Sequence, residues 1–237
     1  MSAAAGHCFD LVRRADKDGF LASLFAPKEK RAALLALYAF NIEIARVHDV
    51  VSEPYIGEIR YQWWRDTLDG IYRGETSAHP VAEELARAIA AGDIPKSALH
   101  NLITAHEFDL YDDPMPDIYA LEGYLGETSS ALIQMASLIL AGPEAAKSAE
   151  AAGLAGVAYG LAGLIRSDAR KFLPPEFDAG AHARKRLVEA RALRHTIPSA
   201  AFPAFLPVSL TELYLNRTVS QFRCQLGLWW AARQEKF

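Results

Sequence analysis

Two pairs of acidic residues stand four positions apart, Asp49 with Glu53 in YAFNIEIARVHDVVSEP and Asp109 with Asp113 in HEFDLYDDP. On an α-helix this spacing puts both carboxylates on one face, where they can jointly hold hard cations that bridge to a diphosphate. Each pair also has a plainer reading. Glu53 precedes Pro54, which disfavours helical conformation in the residue before it, so the pair is not rigid and Asp49 reads first as a cap or an ion-pair partner. Pro114 ends the other helix, and acidic groups at a helix C-terminus oppose its dipole, so Asp109 and Asp113 read first as a solvated entry to a loop. One turn before Asp49, where a second carboxylate would complete a clamp, the residue is Ala45.

Other candidates are cationic or aromatic. The stretch GEIRYQWWRDTLDGIYRG carries Arg60, Gln62, Trp63, Trp64 and Arg65. Helical spacing groups Ile59 and Trp63 with Gln62 or Asp66 along one edge, so at least one tryptophan belongs in a core. Arg60 suits either an acidic partner or a phosphate. In GLAGVAYGLAGLIRS small residues recur at helical intervals, which lets another helix or a long apolar ligand approach the backbone. Close helix packing explains that stripe equally well. Tyr159 lies within it and Arg166 at its end, facing the same space. The seven histidines show no metal-ligand spacing such as HExxH, and the chain has no GxSxG, P-loop or Rossmann-type glycine motif. At the far end, QFRCQLGLWWAARQEKF places Trp229 and Trp230 between Arg223 and Arg233. That pattern fits a lipid interface, packing onto the fold, or a dimer contact.

The elements that position these groups read as helices throughout, because apolar residues recur at helical spacing and β-branched alternation is almost absent. The expected spans are Phe9 to Leu24; a central helix through RAALLALYAFNIEIARVHDVV ending by Glu53; Ile56 to Arg73, stopped by Gly74; Pro80 to Ala91; Pro95 to Tyr111; Ile118 to Leu140; Glu144 to Arg166; Ala179 to His195; and a last helix from Ser209 onward. Asp112 to Asp117, with two prolines, reads as a loop. AFPAFLP reads as a separator between the last two helices.

A chain of 237 residues, 51% hydrophobic and 23% charged, is long enough for a substantial core, and no composition break divides it. One all-α domain is expected. The formal charge of −4 gives no global attraction to nucleic acid. The N-terminus reaches charge without an apolar segment, and the longest apolar runs fall short of the roughly 20 residues of a spanning helix. A cytoplasmic protein is expected, with any membrane contact peripheral, at the inner membrane. Cys8 and Cys224 lie at opposite ends in no CxxC pattern and read as thiols without a structural role.

Taken in order, RAALLALYAFNIEIARVHDVVSEP, the Arg60 to Gly74 helix, EFDL, LEGYLGETSSALIQMASLIL, and AYGLAGLIR ahead of FLPPE resemble the squalene/phytoene synthase superfamily over roughly residues 9 to 177. The resemblance implies an all-α isoprenoid-synthase-like helical bundle around a central cavity, with prenyl diphosphates bound through magnesium on two aspartate-rich helices. The first family motif is DxxxD; its second aspartate matches Asp49 and its first falls on Ala45. At the second motif Gly163 stands where the family has Gln and Ser167 where it has Asn, and Asp168 is out of register. Between Ser167 and Ala169, and between Phe177 and Gly180, the chain is shorter than the family pattern.

FNIEIARVHDVVSEPYIGEIRYQWW with AFPAFLPVSLTELYL resembles more closely a divergent branch that includes the mitochondrial complex I assembly factor of phytoene-synthase descent and its bacterial relatives. The expectation is a non-catalytic or repurposed protein that binds a prenyl or other apolar ligand, or serves respiratory-complex assembly through protein partners. Tyr38, Arg46, Arg60, Gln62, Tyr159 and Arg166 would surround its polar mouth. The alternative is an active head-to-head prenyltransferase condensing farnesyl or geranylgeranyl diphosphate, with Mg2+ on Asp49, Glu53, Asp109 and Asp113. Only that alternative requires a metal.

Overall fold

The computed structural model describes residues 2–111, 113–167, 169, 172–216 and 220–237, all of them in helices or connecting turns, with no β-strand among the described residues. By contacts the chain divides into two compact units, residues 1–112 and 113–237.

In the first unit α1 (Ala3–Ala15) is capped by Ser2, whose Oγ accepts the Ala5 N–H at 3.0 Å. The single helix expected over Phe9 to Leu24 is instead broken at Asp16. Its carboxylate accepts the Gly19 N–H at 2.9 Å and caps a second helix, α2 (Lys17–Ser23). Helix α3 (Arg31–Ala45) is the core element, with Leu34 through Phe40 and Ile44 all buried, and it packs against α1 and α6 (Pro80–Gly92). A helix apolar on most of its sides is one that other helices must surround. It does not run to Glu53 as expected. Arg46 leaves helical geometry at φ −86°, ψ 0°, a four-residue α4 (Val47–Val50) follows, and Val51 is extended.

Helix α5 (Pro54–Tyr72) starts on Pro54, whose fixed φ and missing N–H are harmless at a first helical position. It buries Gly57, Tyr61, Trp64 and Leu68, one stripe at helical spacing. Trp64 is therefore the core tryptophan, edge-on to Phe40 at 5.3 Å, whereas Ile59 and Trp63 face outward. Helix α7 (Lys96–Glu107) packs on α5 and tightens into a 3-10 turn over Phe108–Tyr111.

In the second unit the helix expected over Ile118 to Leu140 forms as α8 (Ile118–Leu125), a π-helical turn (Gly126–Ser130) and α9 (Ala131–Ala141). A 3-10 segment (Gly142–Ser148) leads into α10 (Ala149–Arg166), the central helix here, packed against α9, the π-helical turn, α11 (Ala179–Ala192) and α13 (Thr211–Leu215). The glycines of α10 divide by role. A Cβ on Gly156 would lie 2.3 Å from the Cα of Ser130, and one on Gly160 2.6 Å from Leu125 Cδ2, while Gly153 and Gly163 have open space beside them. At Gly156 and Gly160 the stripe thus serves helix packing. The stretch Ile118–Arg166 includes an 18-residue window of mean hydropathy 1.3, half of it buried, as a core helix also shows.

AFPAFLP is not a separator. It forms α12 (Phe202–Phe205) and a 3-10 segment (Leu206–Leu210), each with a proline in its first turn, and Phe202, Ala204, Phe205, Leu206, Val208 and Leu210 are buried. The last helix is α14 (Gln221–Gln234).

Candidate functional site

Asp49 sits on the short α4, beyond the break at Arg46, with its side chain 67% exposed. Its Oδ1 lies 3.0 Å from His48 Nε2, and the other ring nitrogen of His48 lies 2.9 Å from the Ala45 carbonyl. Arg46 pairs with Glu43 at 3.4 Å. Glu53 has extended backbone at φ −132°, ψ 135°. No continuous helix therefore carries positions 45, 49 and 53, and the one-face geometry that a two-carboxylate clamp needs is lost.

Tyr38 is a core residue of α3, its ring 3.2 Å from where a Cβ on Gly19 would stand. Burial and the nearby charge of Asp16 push its hydroxyl well above the ordinary tyrosine value. Arg60 and Gln62 are exposed on α5, where Gln62 donates to Asp66 Oδ1 at 2.8 Å. Gln62 also borders an open groove with Tyr55, Glu58, Ile59, Arg65 and Tyr111. Arg65 pairs with Glu107 at 2.9 Å.

Asp109 is buried in the 3-10 turn, and its Oδ2 lies 2.6 Å from Nδ1 of His106, also buried. Tyr61 donates to the His106 carbonyl at 3.0 Å. Burial, followed by the charges of Asp109 and Glu107, raises the Tyr61 hydroxyl. Asp113 is exposed and lies outside any helix. The α-helical register that would set it one turn from Asp109 does not continue, because α7 ends at Glu107. No group of three or more His, Cys, Asp or Glu side chains suited to a metal ion occurs among the described residues. Among the described residues, the donors named from the sequence are not gathered into one such group.

In the second unit, Tyr159 and Arg166 converge on a residue that the sequence did not single out. The Tyr214 ring lies 6.1 Å from that of Tyr159, and the Arg166 guanidinium lies over it at 4.1 Å. Gly163 leaves open space where the family carries Gln, Ser167 ends α10, and Asp168 lies outside the described residues. A second unpredicted cluster joins α8 to α11. Arg186 donates to both oxygens of Glu122, at 2.6 and 2.9 Å, and His182 Nε2 lies 2.7 Å from Oε1. The spacing of His182 and Arg186, one helical turn apart, was the available signal. Cys8 is buried, and burial and then Glu84 push its thiol up to about 12, which disfavours the thiolate.

The sequence pattern of the Squalene/phytoene synthase family matches residues 12–171. NADH dehydrogenase (ubiquinone) complex I, assembly factor 6 of Bos taurus is 33% identical over 242 aligned positions, covering 89% of this chain and 72% of that protein. The aligned length exceeds the stretch of this chain that it covers, so the relative carries residues that this chain lacks. A dehydrosqualene synthase in complex with ligand superposes with a TM-score of 0.73 at 16% identity, over 98% of this chain and 96% of the other. Squalene synthase HpnC from Alicyclobacillus acidocaldarius gives 0.69 at 18% identity, over 99% and 95%. These two likenesses show that the fold is the all-α one of isoprenoid synthases.

Proposed function

The chain belongs to the squalene/phytoene synthase family, and from that premise we propose that it is a non-catalytic member acting as an assembly-type protein for respiratory complex I at a membrane surface. One observation carries the loss of catalysis. Ala45 replaces the first carboxylate of the metal clamp, and the backbone break at Arg46 takes Asp49 off the helix that would aim it. Ionising a prenyl diphosphate requires several fixed positive charges at the leaving group, and magnesium supplies them only where rigid carboxylates hold it. A solvated aspartate facing His48 is no such anchor.

The assembly role takes its support from the relative named complex I, assembly factor 6, of which this chain covers 72%. We read the chain as one functional domain, a reading supported by the family match running through the boundary at residues 112 and 113. Protein partners, and an apolar ligand of the prenyl class that needs no metal, fit this role. Arg60 and Gln62, exposed on α5, are the polar groups we assign to such contacts.

Calorimetric titration with farnesyl diphosphate, with and without magnesium, tests the reading. Affinity indifferent to magnesium, and unchanged in Asp49→Ala, is the expected result. Binding that magnesium strengthens and Asp49→Ala abolishes would overturn it.

A further inference from the structure

Helix α14 is apolar on two opposite faces. At about 100° per residue, Cys224, Leu228 and Ala231 share one face, which is buried against the Leu206–Leu210 segment. Gly227 belongs to this side, and a Cβ there would meet Leu210 and Leu213 at 3.3 and 3.4 Å. Half a turn away, Phe222, Leu226, Trp229 and Trp230 form a second stripe, and all four are exposed. Four large apolar side chains in one continuous stripe exceed the scattered exposure of an ordinary surface.

The charged residues of the helix that carries this stripe are all basic. Helix α14 contains Arg223 and Arg233 and no acidic residue. The Arg233 guanidinium lies 5.6 Å from the centre of the Trp229 ring, which meets Trp230 edge-on at 5.4 Å. Where α14 ends, Trp230 borders a cavity of about 530 Å³ that is also lined by Arg191, Arg194, Lys236 and Phe237. Arg194 is held in place by Glu235, donating to its carbonyl at 2.8 Å and to its carboxylate at 3.1 Å, and Arg191 donates to the Phe237 carbonyl. Lys236 is exposed and has no ion-pair partner among the described residues.

We propose that the outer face of α14 docks on an anionic phospholipid surface, with Trp229, Trp230, Phe222 and Leu226 entering the headgroup region and the cationic cavity receiving a lipid phosphate. Indole rings combine an apolar body with a polar N–H, and arginines keep their charge in water while their stems lie along apolar surface. A helix lying in the membrane plane with such a face binds through apolar area and attraction to anionic lipid together. A second copy of the chain is the poorer occupant, because a two-fold pairing of α14 would set its arginines, Arg223 and Arg233, against one another with no acid on the helix between them. The inference rests on the membrane-surface part of the function proposed above, and vesicle binding and response to magnesium are read separately, so either can fail alone.

The test is flotation of the full chain with vesicles of phosphatidylcholine alone and of phosphatidylcholine with phosphatidylglycerol. The chain is expected to float with the anionic vesicles only, more weakly as salt is raised. The Trp229→Ser, Trp230→Ser double variant and Lys236→Glu should each lose about tenfold in binding, and because these side chains are exposed the helical circular dichroism should not change. Wild-type chain left unbound by anionic vesicles at low salt, or equal binding by the double variant, would overturn the proposal. So would a dimer in sedimentation velocity that the double variant abolishes, since the face would then belong to a second copy.

Discussion

Tyr214 turns two separate sequence observations into one contact: it lies beside Tyr159 and beneath Arg166. Nothing local pointed to it, because it sits far downstream in a five-residue helix behind a proline-containing segment. Arg166 is exposed, so removing it should cost only the cation–π contribution. Arg166→Ala is expected to lower unfolding free energy by about 0.5–1 kcal/mol, read from the urea midpoint, and Arg166→Lys to recover part of it. An unchanged midpoint would mean that the ring contact is idle. The same scale shows where sequence spacing misleads. Asp109 was paired with Asp113 by its i+4 spacing, but its partner in the structure is His106 at i−3, since the α-helix tightens at Phe108 and a buried carboxylate requires a buried donor. The mismatch of Ala45 with Asp49, by contrast, was plain from residue identities alone.

At the scale of elements, helix identity was legible almost everywhere because periodicity and proline placement are strong signals, while internal breaks were not. The run from Ile42 to Val51 contains no glycine or proline, so the turn at Arg46 has no marker in composition. Asp16 as a mid-helix cap was readable in principle, given the preference of aspartate for that position. The glycines of α10 give a sharp contrast. Gly156→Ala would press a methyl against Ser130 backbone and should cost about 1–3 kcal/mol or more. Gly163→Ala and Gly153→Ala, with space beside them, should stabilise the helix by up to about 1 kcal/mol. Thermal unfolding of the three variants checks the ranking, and a neutral Gly156→Ala would refute the close approach of α10 to the π-helical turn. The bridge from α8 to α11 yields a pH prediction. Burial alone would raise the Glu122 carboxyl, but hydrogen bonds from Arg186 and His182 outweigh it and hold the group below the usual glutamate range. A depressed folded value gives stability that is complete above the unfolded value of about 4.3 and is lost as pH falls through the folded one. The melting temperature should therefore drop on acidification below about pH 4, and Glu122→Gln should show a shallower acid limb. Parallel limbs would contradict the assignment.

At the scale of the whole molecule, the family and its all-α fold were legible because many ordered segments, and no single motif, carried the resemblance. The fate of its chemistry was legible only in part. Residue identity showed Ala45 where the family motif has its first aspartate, and the structure adds that Asp49 lies on a separate short helix beyond the break at Arg46. A synthase fold of this kind can keep its packing while its ionising site decays, because the residues that fill the core and those that bind the metal are different sets. The most direct test of that account is incubation of the purified chain with magnesium and farnesyl or geranylgeranyl diphosphate, following diphosphate release and hydrocarbon product. The account predicts no release above the rate without protein, in wild type and Asp49→Ala alike, and turnover in wild type that Asp49→Ala abolishes would contradict it.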